Sequence, residues 1–325
     1  MPATDDATLK VSVVLPACGR MDLLDRSLDA LMRQQLDPRH VEIIVVDDEP
    51  NHNTLHLVAG WRSRTLERGP RLSYVANPGP SGPASARNRG WRTARAPIIA
   101  FTSDDAVPEP GWLAEGLAAF RADADVVCGT IQTPLPPQPS AHGHAADFTS
   151  ANCFFRKPVL ERLAGFDERF TVPRATDADM HFRLLEHGVA IVRAPRALVV
   201  HPVRPAPWGA SLLQIRHAVF DALLYKKHPA LYRQKVEPHP RRDHYAIVGM
   251  LLLALAGLAA AQPVLAGLAF GAWLLLTARL CAQWLRGAAH TPAHVADMVI
   301  TSALLPPLTV FWRLAGAVRY RVRFA

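Results

Sequence analysis

Apolar residues fall into two regimes along the chain. Up to about residue 240 they come in short blocks divided by polar and turn residues, whereas residues 246–285 are almost free of charge. In the first regime Val11–Leu15 is a short apolar run ended by Pro16. Leu24, Leu28, Leu31 and Met32 follow at mixed three- and four-residue spacing, which predicts a helix. Val41–Val46 is nearly all apolar and runs into Asp47-Asp48; Leu72–Val75 and Ile98–Phe101 repeat the strand pattern. Between those two lie a turn over Asn77–Pro83 and a basic helix over Ala84–Ala94. Strands without polar alternation are buried on both faces. The β-α-β alternation therefore predicts an α/β chain with a Rossmann-like, mostly parallel sheet and helices on both faces. Ligands of such sheets bind beyond the C-terminal strand ends, which here carry Pro16, Asp47-Asp48 and Ser103-Asp104-Asp105.

The pattern then loosens. A strand over Asp125–Ile131 precedes a proline-rich loop, Pro134–Gly143. A strand over Asn152–Arg156, a helix near Pro158–Leu163 and Gly165-Phe166-Asp167-Glu168 come next. A helix over Asp177–His187 stops at Gly188, and a strand over Ala197–Val200 runs into His201.

In the second regime Ala246–Ala261 and Val264–Leu276 are apolar and separated by Gln262-Pro263, with the pattern fading toward Leu285. A spanning helix needs roughly 20 apolar residues, so this reads as a transmembrane helical hairpin with an uncharged tip. Lys226, Lys227, Arg233, Lys235, Arg241 and Arg242 precede it and Arg286 follows, which places the flanks in the cytoplasm at the cell inner membrane. Residues 295–317 contain Pro306-Pro307 and Arg313 and lead to Arg319, Arg321 and Arg323. A third span would carry those arginines across against the charge rule, so an interfacial or re-entrant helix touching anionic membrane lipid is expected. The divisions expected are a disordered N-terminus (1–9), a catalytic-type α/β domain (10–205, with halves 10–132 and 133–205), basic amphipathic linker helices (206–244), the hairpin (245–286) and the interfacial segment with its basic tail (287–325).

Composition adds direction. The 325 residues carry a formal charge of +8, which calls for a polyanionic neighbour. The basic residues gather around the apolar tail and no recognition motif accompanies them, so nucleic acid is not expected. Cys18, Cys128, Cys153 and Cys281 are scattered without metal-like spacing, which fits a reducing compartment. The polar, acidic start shows no signal peptide.

Two adjacent carboxylates at a strand end repel each other unless a cation compensates. Asp104-Asp105 could hold a hard divalent ion, or simply cap the helix that starts after Pro108. Asp47-Asp48 could accept hydrogen bonds from a base or ribose, or simply shape the Glu49-Pro50-Asn51 turn. The loop leading into Ala86-Arg87-Asn88-Arg89-Gly90 suits an anion, although an exposed basic helix face explains it better when the segment is taken alone.

Taken in order, these elements resemble family 2 glycosyltransferases with the GT-A fold. Val11-Ser12-Val13-Val14-Leu15-Pro16 with Val45-Val46-Asp47-Asp48 resembles the family's opening, and Ala86-Arg87-Asn88-Arg89-Gly90 its Ala-Arg-Asn-x-Gly element. Ser103-Asp104-Asp105 sits at the place of its metal-binding Asp-x-Asp. Gly165-Phe166-Asp167-Glu168 resembles its acceptor-side motif, and Thr176-Asp177-Ala178-Asp179 with Arg183 its Glu-Asp-x-Asp-Leu-x-x-Arg. The likeness spans about residues 10–202.

The resemblance implies an inverting, metal-dependent transfer of a single sugar from a UDP- or GDP-type donor to a lipid-linked or glycan acceptor, as in polysaccharide or glycolipid biosynthesis. It implies that Pro16, Ala17, Asp47, Asp48, Arg87 and Asp104 contact the nucleotide sugar. Asp105 and His201 would hold Mg²⁺ or Mn²⁺, Asp177 would be the general base, and Asn152, Asp167 and Asp179 would lie on the acceptor side. Ser103 and Thr176 depart from the family's acids. Two alternatives stay open: a polyprenyl-phosphate sugar transferase, and a nucleotide-binding membrane scaffold without catalysis.

Overall fold

The computed structural model describes residues 9–67, 69–79, 82–120, 123–133, 148–202, 212, 214–237, 242–285 and 292–323. The first eight residues, the Pro134–Gly143 loop, Arg241 and Arg286 lie outside them. The chain divides into two compact units, Met1–Arg204 and Pro205–Ala325.

The first unit is built on one eight-stranded sheet. Its strands are β1 (Val11–Ala17), β2 (Val41–Asp47), β3 (Arg71–Ala76), β4 (Ile98–Phe101), β5 (Val107–Pro108), β6 (Val126–Gln132), β7 (Cys153–Arg156) and β8 (Ile191–Val200). They lie in the order β3-β2-β1-β4-β7-β6-β8-β5. The pairings among β1 to β4 are all parallel, while β7 runs antiparallel to both β4 and β6, and β5 antiparallel to β8. The sheet is therefore mixed, with parallel pairings in the majority as expected.

Helices α1 (Met21–Met32), α2 (His52–Thr65), α3 (Pro83–Thr93), α4 (Trp112–Ala118), α5 (Lys157–Arg162) and α6 (Pro173–Glu186) belong to the same unit. Alternate residues of each central strand feed different cores. Val13, Leu15, Ile43 and Val45 pack with Leu24, Leu28 and Leu31 of α1. Val14, Ile44 and Val46 pack with Ala84, Ala86 and Trp91 of α3. This two-sided burial is why β1 and β2 read as unbroken apolar runs. Helix α2 was not evident from the hydrophobic pattern; its start is capped by Asn51, whose Oδ1 accepts from Thr54 N at 2.9 Å. Helix α6 begins at Pro173, a full turn earlier than the pattern suggested, because proline suits the first helical position.

Close approach sets the position of α3. A Cβ at Gly90 would lie 2.3 Å from Val14 Cγ1 and 3.0 Å from Val46 Cγ2. Two residues earlier, Asn88 donates to Phe166 O at 2.8 Å and accepts from Phe166 N at 2.8 Å. Gly165, at φ 73°, lies so close to Asn88 Oδ1 that an added Cβ would sit 2.2 Å away. The two motifs around Asn88 and Gly165 thus lock together as framework.

The second unit holds a short 3₁₀ turn (Ile215–Ala218) and α7 (Val219–Lys227), α8 (Pro229–Lys235), α9 (Arg242–Ala259), α10 (Pro263–Leu285) and α11 (Pro292–Tyr320). Helices α9 and α10 form a hairpin whose tip closes where Gly257 meets Ala266, an added Cβ falling 3.0 Å from Ala266 N. Among the described residues, three helices are long and apolar enough to cross a membrane: Arg242–Ala259, Pro263–Leu285 and Val295–Tyr320. The third covers the segment expected to be interfacial or re-entrant, and α11 continues through Pro306-Pro307. Hydroxyls on either side of the proline pair bond back one turn, Ser302 Oγ to Met298 O and Thr309 Oγ1 to Leu305 O, both at 2.7 Å. Such side-chain bonds, with the neighbouring packing, let apolar helices tolerate proline.

Replacing Gly90 with alanine forces α3 off the sheet. The Gly90→Ala chain is expected to lose about 1–3 kcal/mol by overpacking, read as a lower thermal midpoint of the full chain in detergent.

Candidate active site

The C-terminal ends of β1, β2 and β4, the start of α3 and the first turns of α6 surround a cleft of about 600 Å³, within the usual size of small-ligand sites. Its lining includes Pro16 and Ala17 from β1, Asp48 after β2, Arg87 on α3, Asp104 and Asp105 after β4, Asp177 on α6 and His201 after β8. The topology brings eight of the twelve anticipated residues together from segments up to 185 positions apart (201 − 16 = 185).

Asp48 sits on the cleft wall. Its Oδ1 accepts from Asn77 Nδ2 at 2.8 Å and its Oδ2 from Gly82 N at 2.7 Å. Gly82 adopts φ 143°, a conformation open to glycine, and this aims its N–H at the carboxylate. Burial raises the Asp48 carboxyl, with the Asn77 and Gly82 hydrogen bonds opposing.

Asp104 is 2% exposed and meets Arg20 in a two-pronged ion pair, Arg20 Nε reaching Asp104 Oδ2 at 3.1 Å and Nη2 reaching Oδ1. Arg20 Nη1 also bonds Asp105 Oδ2 at 2.8 Å. Burial raises the Asp104 carboxyl and the Arg20 charge pulls it back. Asp105 is pushed up by burial, but hydrogen bonds from His201 and Ser103 and the Arg20 charge outweigh this and hold it well below the usual range. Ser103, where the resembled family has an acid, donates to Asp105 Oδ1 at 2.7 Å.

His201 Nε2 lies 3.3 Å from Asp105 Oδ1. Among the described residues no cluster of three or more His, Cys, Asp or Glu side chains is assembled for a metal. Carboxylate and imidazole side by side still match the donors that Mn²⁺ accepts, and a substrate phosphate would have to complete the shell.

Asp177 is 9% exposed and its Oδ1 accepts from Ser150 Oγ. Burial raises its carboxyl, while the Arg87 charge and the Ser150 bonds act in the other direction. Arg87 is buried over the Phe166 ring, 5.7 Å from its centroid, and donates to Pro83 O at 3.0 Å. Its Nε has no hydrogen-bond partner among the described residues.

Four anticipated residues lie off the cleft lining. Asp47 spends its carboxylate on its own turn, accepting from Tyr74 Oη at 3.0 Å and Asn51 N at 3.1 Å. Asn152 bridges Trp112 Nε1 to Thr130 O and Ala197 O at 2.8–2.9 Å. Asp167 pairs with Arg169 at 2.6 Å and Asp179 with Arg183 at 2.9 Å. These are framework contacts. Thr176 likewise turns away, its hydroxyl bonded to Val172 O at 2.9 Å. Arg20 is the residue that sequence reasoning missed; the available signal was a cation four positions after Pro16 in the turn between β1 and α1.

Removing Arg20 leaves the Asp104 carboxylate buried without its cation. The Arg20→Gln chain is expected to be less stable at neutral pH by about 1–3 kcal/mol, the cost of breaking a buried pair discounted for the partial exposure of Arg20. Asp104 has a raised folded pKa, so its ionised form is the one penalised. The deficit therefore shrinks as pH falls and Asp104 takes up a proton, which melting curves across pH would show.

Comparison with known proteins places this cleft. Residues 12–167 match the family described as Glycosyl transferase family 2. Validoxylamine A glucosyltransferase of Streptomyces hygroscopicus subsp. limoneus is 28% identical over 234 residues, covering 58% of this chain and 51% of that protein. O-antigen biosynthesis protein RfbC of Myxococcus xanthus is 27% identical over 227 residues, covering 60% of this chain and 17% of the other. The chain spans about half the length of the first and less of the second. The solved mannosyltransferase PcManGT from Pyrobaculum calidifontis, in complex with GDP-Man and Mn²⁺, superposes with a TM-score of 0.55 at 21% identity over 98% of this chain and 88% of that one. S. aureus TarS 1–349 in complex with UDP-GlcNAc gives a TM-score of 0.53 at 15% identity, covering 98% and 93%. At these identities the structural likeness shows the fold, which is of the GT-A type.

Proposed function

We propose that this chain, whose residues 12–167 match the family described as Glycosyl transferase family 2, moves a single sugar from a UDP- or GDP-type donor to a membrane-proximal, lipid-linked or glycan acceptor, inverting the anomeric centre. The observation that carries the reading is the convergence of Asp48, Asp104, Asp105 and Asp177 on one cleft. The nucleotide donors held by the superposable mannosyltransferase and TarS support it.

Asp48, fixed by Asn77 and Gly82, is placed to accept a hydrogen bond from the base or ribose. Asp105 and His201 would hold Mg²⁺ or Mn²⁺, which when bound supplies positive charge against the leaving diphosphate. Asp177 takes the proton of the attacking hydroxyl as the acceptor oxygen bonds to the anomeric carbon. The carbon–oxygen bond to phosphate breaks, and its electron pair leaves with the nucleoside diphosphate. Burial makes Asp177 a stronger base than a surface carboxylate, and Arg87 keeps it ionised despite that burial. The apolar helices of the second unit fit a membrane-bound acceptor, with the catalytic domain on the cytoplasmic side of the inner membrane.

An Asp177→Asn chain is expected to keep donor binding and lose about 10²- to 10⁴-fold in kcat, as removal of a general base does. Near-full turnover would instead mark an acceptor already ionised, such as a polyprenyl phosphate, and sink the base role. Metal-dependent donor binding with no transfer to any membrane extract would favour the scaffold reading. The raised Asp177 carboxyl sets the acid limb of the rate profile above that of a free carboxylate, and Arg87→Gln is expected to move that limb to still higher pH. Asp105→Asn and His201→Ala are each expected to weaken Mn²⁺ binding in the presence of nucleoside diphosphate, by about 10-fold or more, read by calorimetry.

A further inference from the structure

Helix α11 is as apolar as a membrane span, yet its end is tied to the helices that precede the hairpin. Arg313 Nη1 meets Glu237 Oε2 at 2.6 Å, and both side chains are at most 10% exposed. Three residues on, Gly316 lies against α7 so closely that an added Cβ would fall 2.6 Å from Val219 O and 3.1 Å from Ala222 Cβ. At the end of the helix Tyr320 O accepts from Lys226 Nζ at 2.7 Å. Arg313, Gly316 and Tyr320 thus fasten α11 to the stretch from Val219 to Glu237.

Glu237 stands five residues before Arg242, where α9 begins, so no more than about 18 Å of extended chain separates them. Helix α9, with 18 residues, and α10, with 23, are about 27 and 34 Å long, each able to cross the roughly 30 Å hydrocarbon layer. Their tip contact at Gly257 and Ala266 makes α10 return to the face from which α9 left. Helix α11 starts seven residues after Leu285, and a link of at most about 25 Å is too short to recross the hydrocarbon layer. If α11 also crossed, Arg313 and Tyr320 would emerge near or beyond the opposite face, while their partners Glu237 and Lys226 remain on the first. A contact of 2.6 Å does not allow that. The number of crossings between Glu237 and Arg313 is even.

The faces of α11 agree. Thr301, Ser302, Leu305, Thr309 and Arg313 recur at helical spacing and are all at most 3% exposed. The exposed side carries Val299, Ile300, Leu304, Phe311, Leu314 and Val318. Polar groups turn inward and apolar ones outward, the reverse of a helix on a water-soluble surface. Arg319, Arg321 and Arg323 follow directly, and Lys226 stands beside Tyr320. Apolar side chains next to a cluster of cations match acyl chains beside anionic headgroups.

We propose that α11 is a strap lying in the plane of the membrane, docked on an anionic lipid leaflet at the face from which α9 enters, so that the chain crosses the bilayer twice and its C-terminus returns to that face. This rests on the membrane association proposed above and is independent of the sugar chemistry. The test places single spin labels at Ile300, Phe311 and Val318 of the full chain, in a Cys18→Ser/Cys281→Ser background, reconstituted in phosphatidylglycerol-containing bilayers. Collision depth measurements are expected to give three similar, shallow depths. A span would give a steady change in depth of about 27 Å from Ile300 to Val318, which overturns the strap alone. Labels that meet no lipid at any position would overturn the membrane assignment with it. As a second readout, accessibility tags at the two chain ends are expected on one side of the membrane. Tags on opposite sides would mean an odd number of crossings and end the proposal. An Arg313→Glu/Glu237→Arg double exchange should restore the label depths that Arg313→Glu alone disturbs.

Discussion

Like charge held out of water is the constraint around which the first unit is arranged. Asp48, Asp104, Asp105 and Asp177 share one cleft, and the arginines on its lining are Arg20 and Arg87. Ionised carboxylates this close and this buried resist one another unless cations or hydrogen bonds compensate. Each is compensated differently. Asp48 relies on two N–H donors, Asp104 on Arg20, Asp105 on His201, Ser103 and Arg20, and Asp177 on Arg87 and Ser150. Four carboxylates against two arginines leave a formal deficit of two positive charges, the charge of one divalent ion.

The frame beneath the cleft explains why its residues stay in place. Helix α3 delivers Arg87 to the lining, yet its position is set by neighbours that never touch the cleft. Gly90 permits contact with Val14 and Val46, and Asn88 ties α3 to Phe166. One short motif therefore divides its work: one side chain faces the ligand space and the next holds the helix that carries it. At the opposite end of the sheet, Glu42 accepts from Ser12 and from Arg95 Nη2 at 3.0 Å, fastening β1, β2 and the approach to β4 at their starts. The strand ends that carry the acids are positioned by contacts at the far end of the same strands.

The second unit turns the usual arrangement of polar and apolar side chains around. Its exposed positions are apolar, including Leu252, Leu258, Leu268 and Leu275 on the hairpin, while Arg313, Thr301 and Thr309 are buried. In lipid the expensive group is the unpartnered polar one, so polar side chains turn toward each other and toward the protein. Arg313 and Glu237 are the clearest case. Neither reads as a partner of the other along the chain, because 76 residues separate them (313 − 237 = 76).

Much of this architecture could be read along the chain. The central strands announce themselves because burial on both faces leaves no polar alternation, and the acids at their ends follow from where the apolar runs stop. The GT-A fold and the likeness to family 2 glycosyltransferases could be read from the order of short motifs, and the hairpin from its lack of charge. Reading along the chain does not reach the direction in which a side chain points. Asp47 and Asp48 are adjacent and chemically identical, yet one builds a turn and the other lines the cleft, since successive side chains leave a strand end in opposite directions. Asp167, Asp179 and Asn152 lie off the cleft lining and bond to neighbouring groups, whereas Arg20 attracted no notice and grips both Asp104 and Asp105. Periodicity and strand-end position are local properties, carried by the order of residues alone. The pairing of charges is settled only by folding, because the energy of a carboxylate depends on what has come within a few ångströms of it, and those groups are remote in the chain.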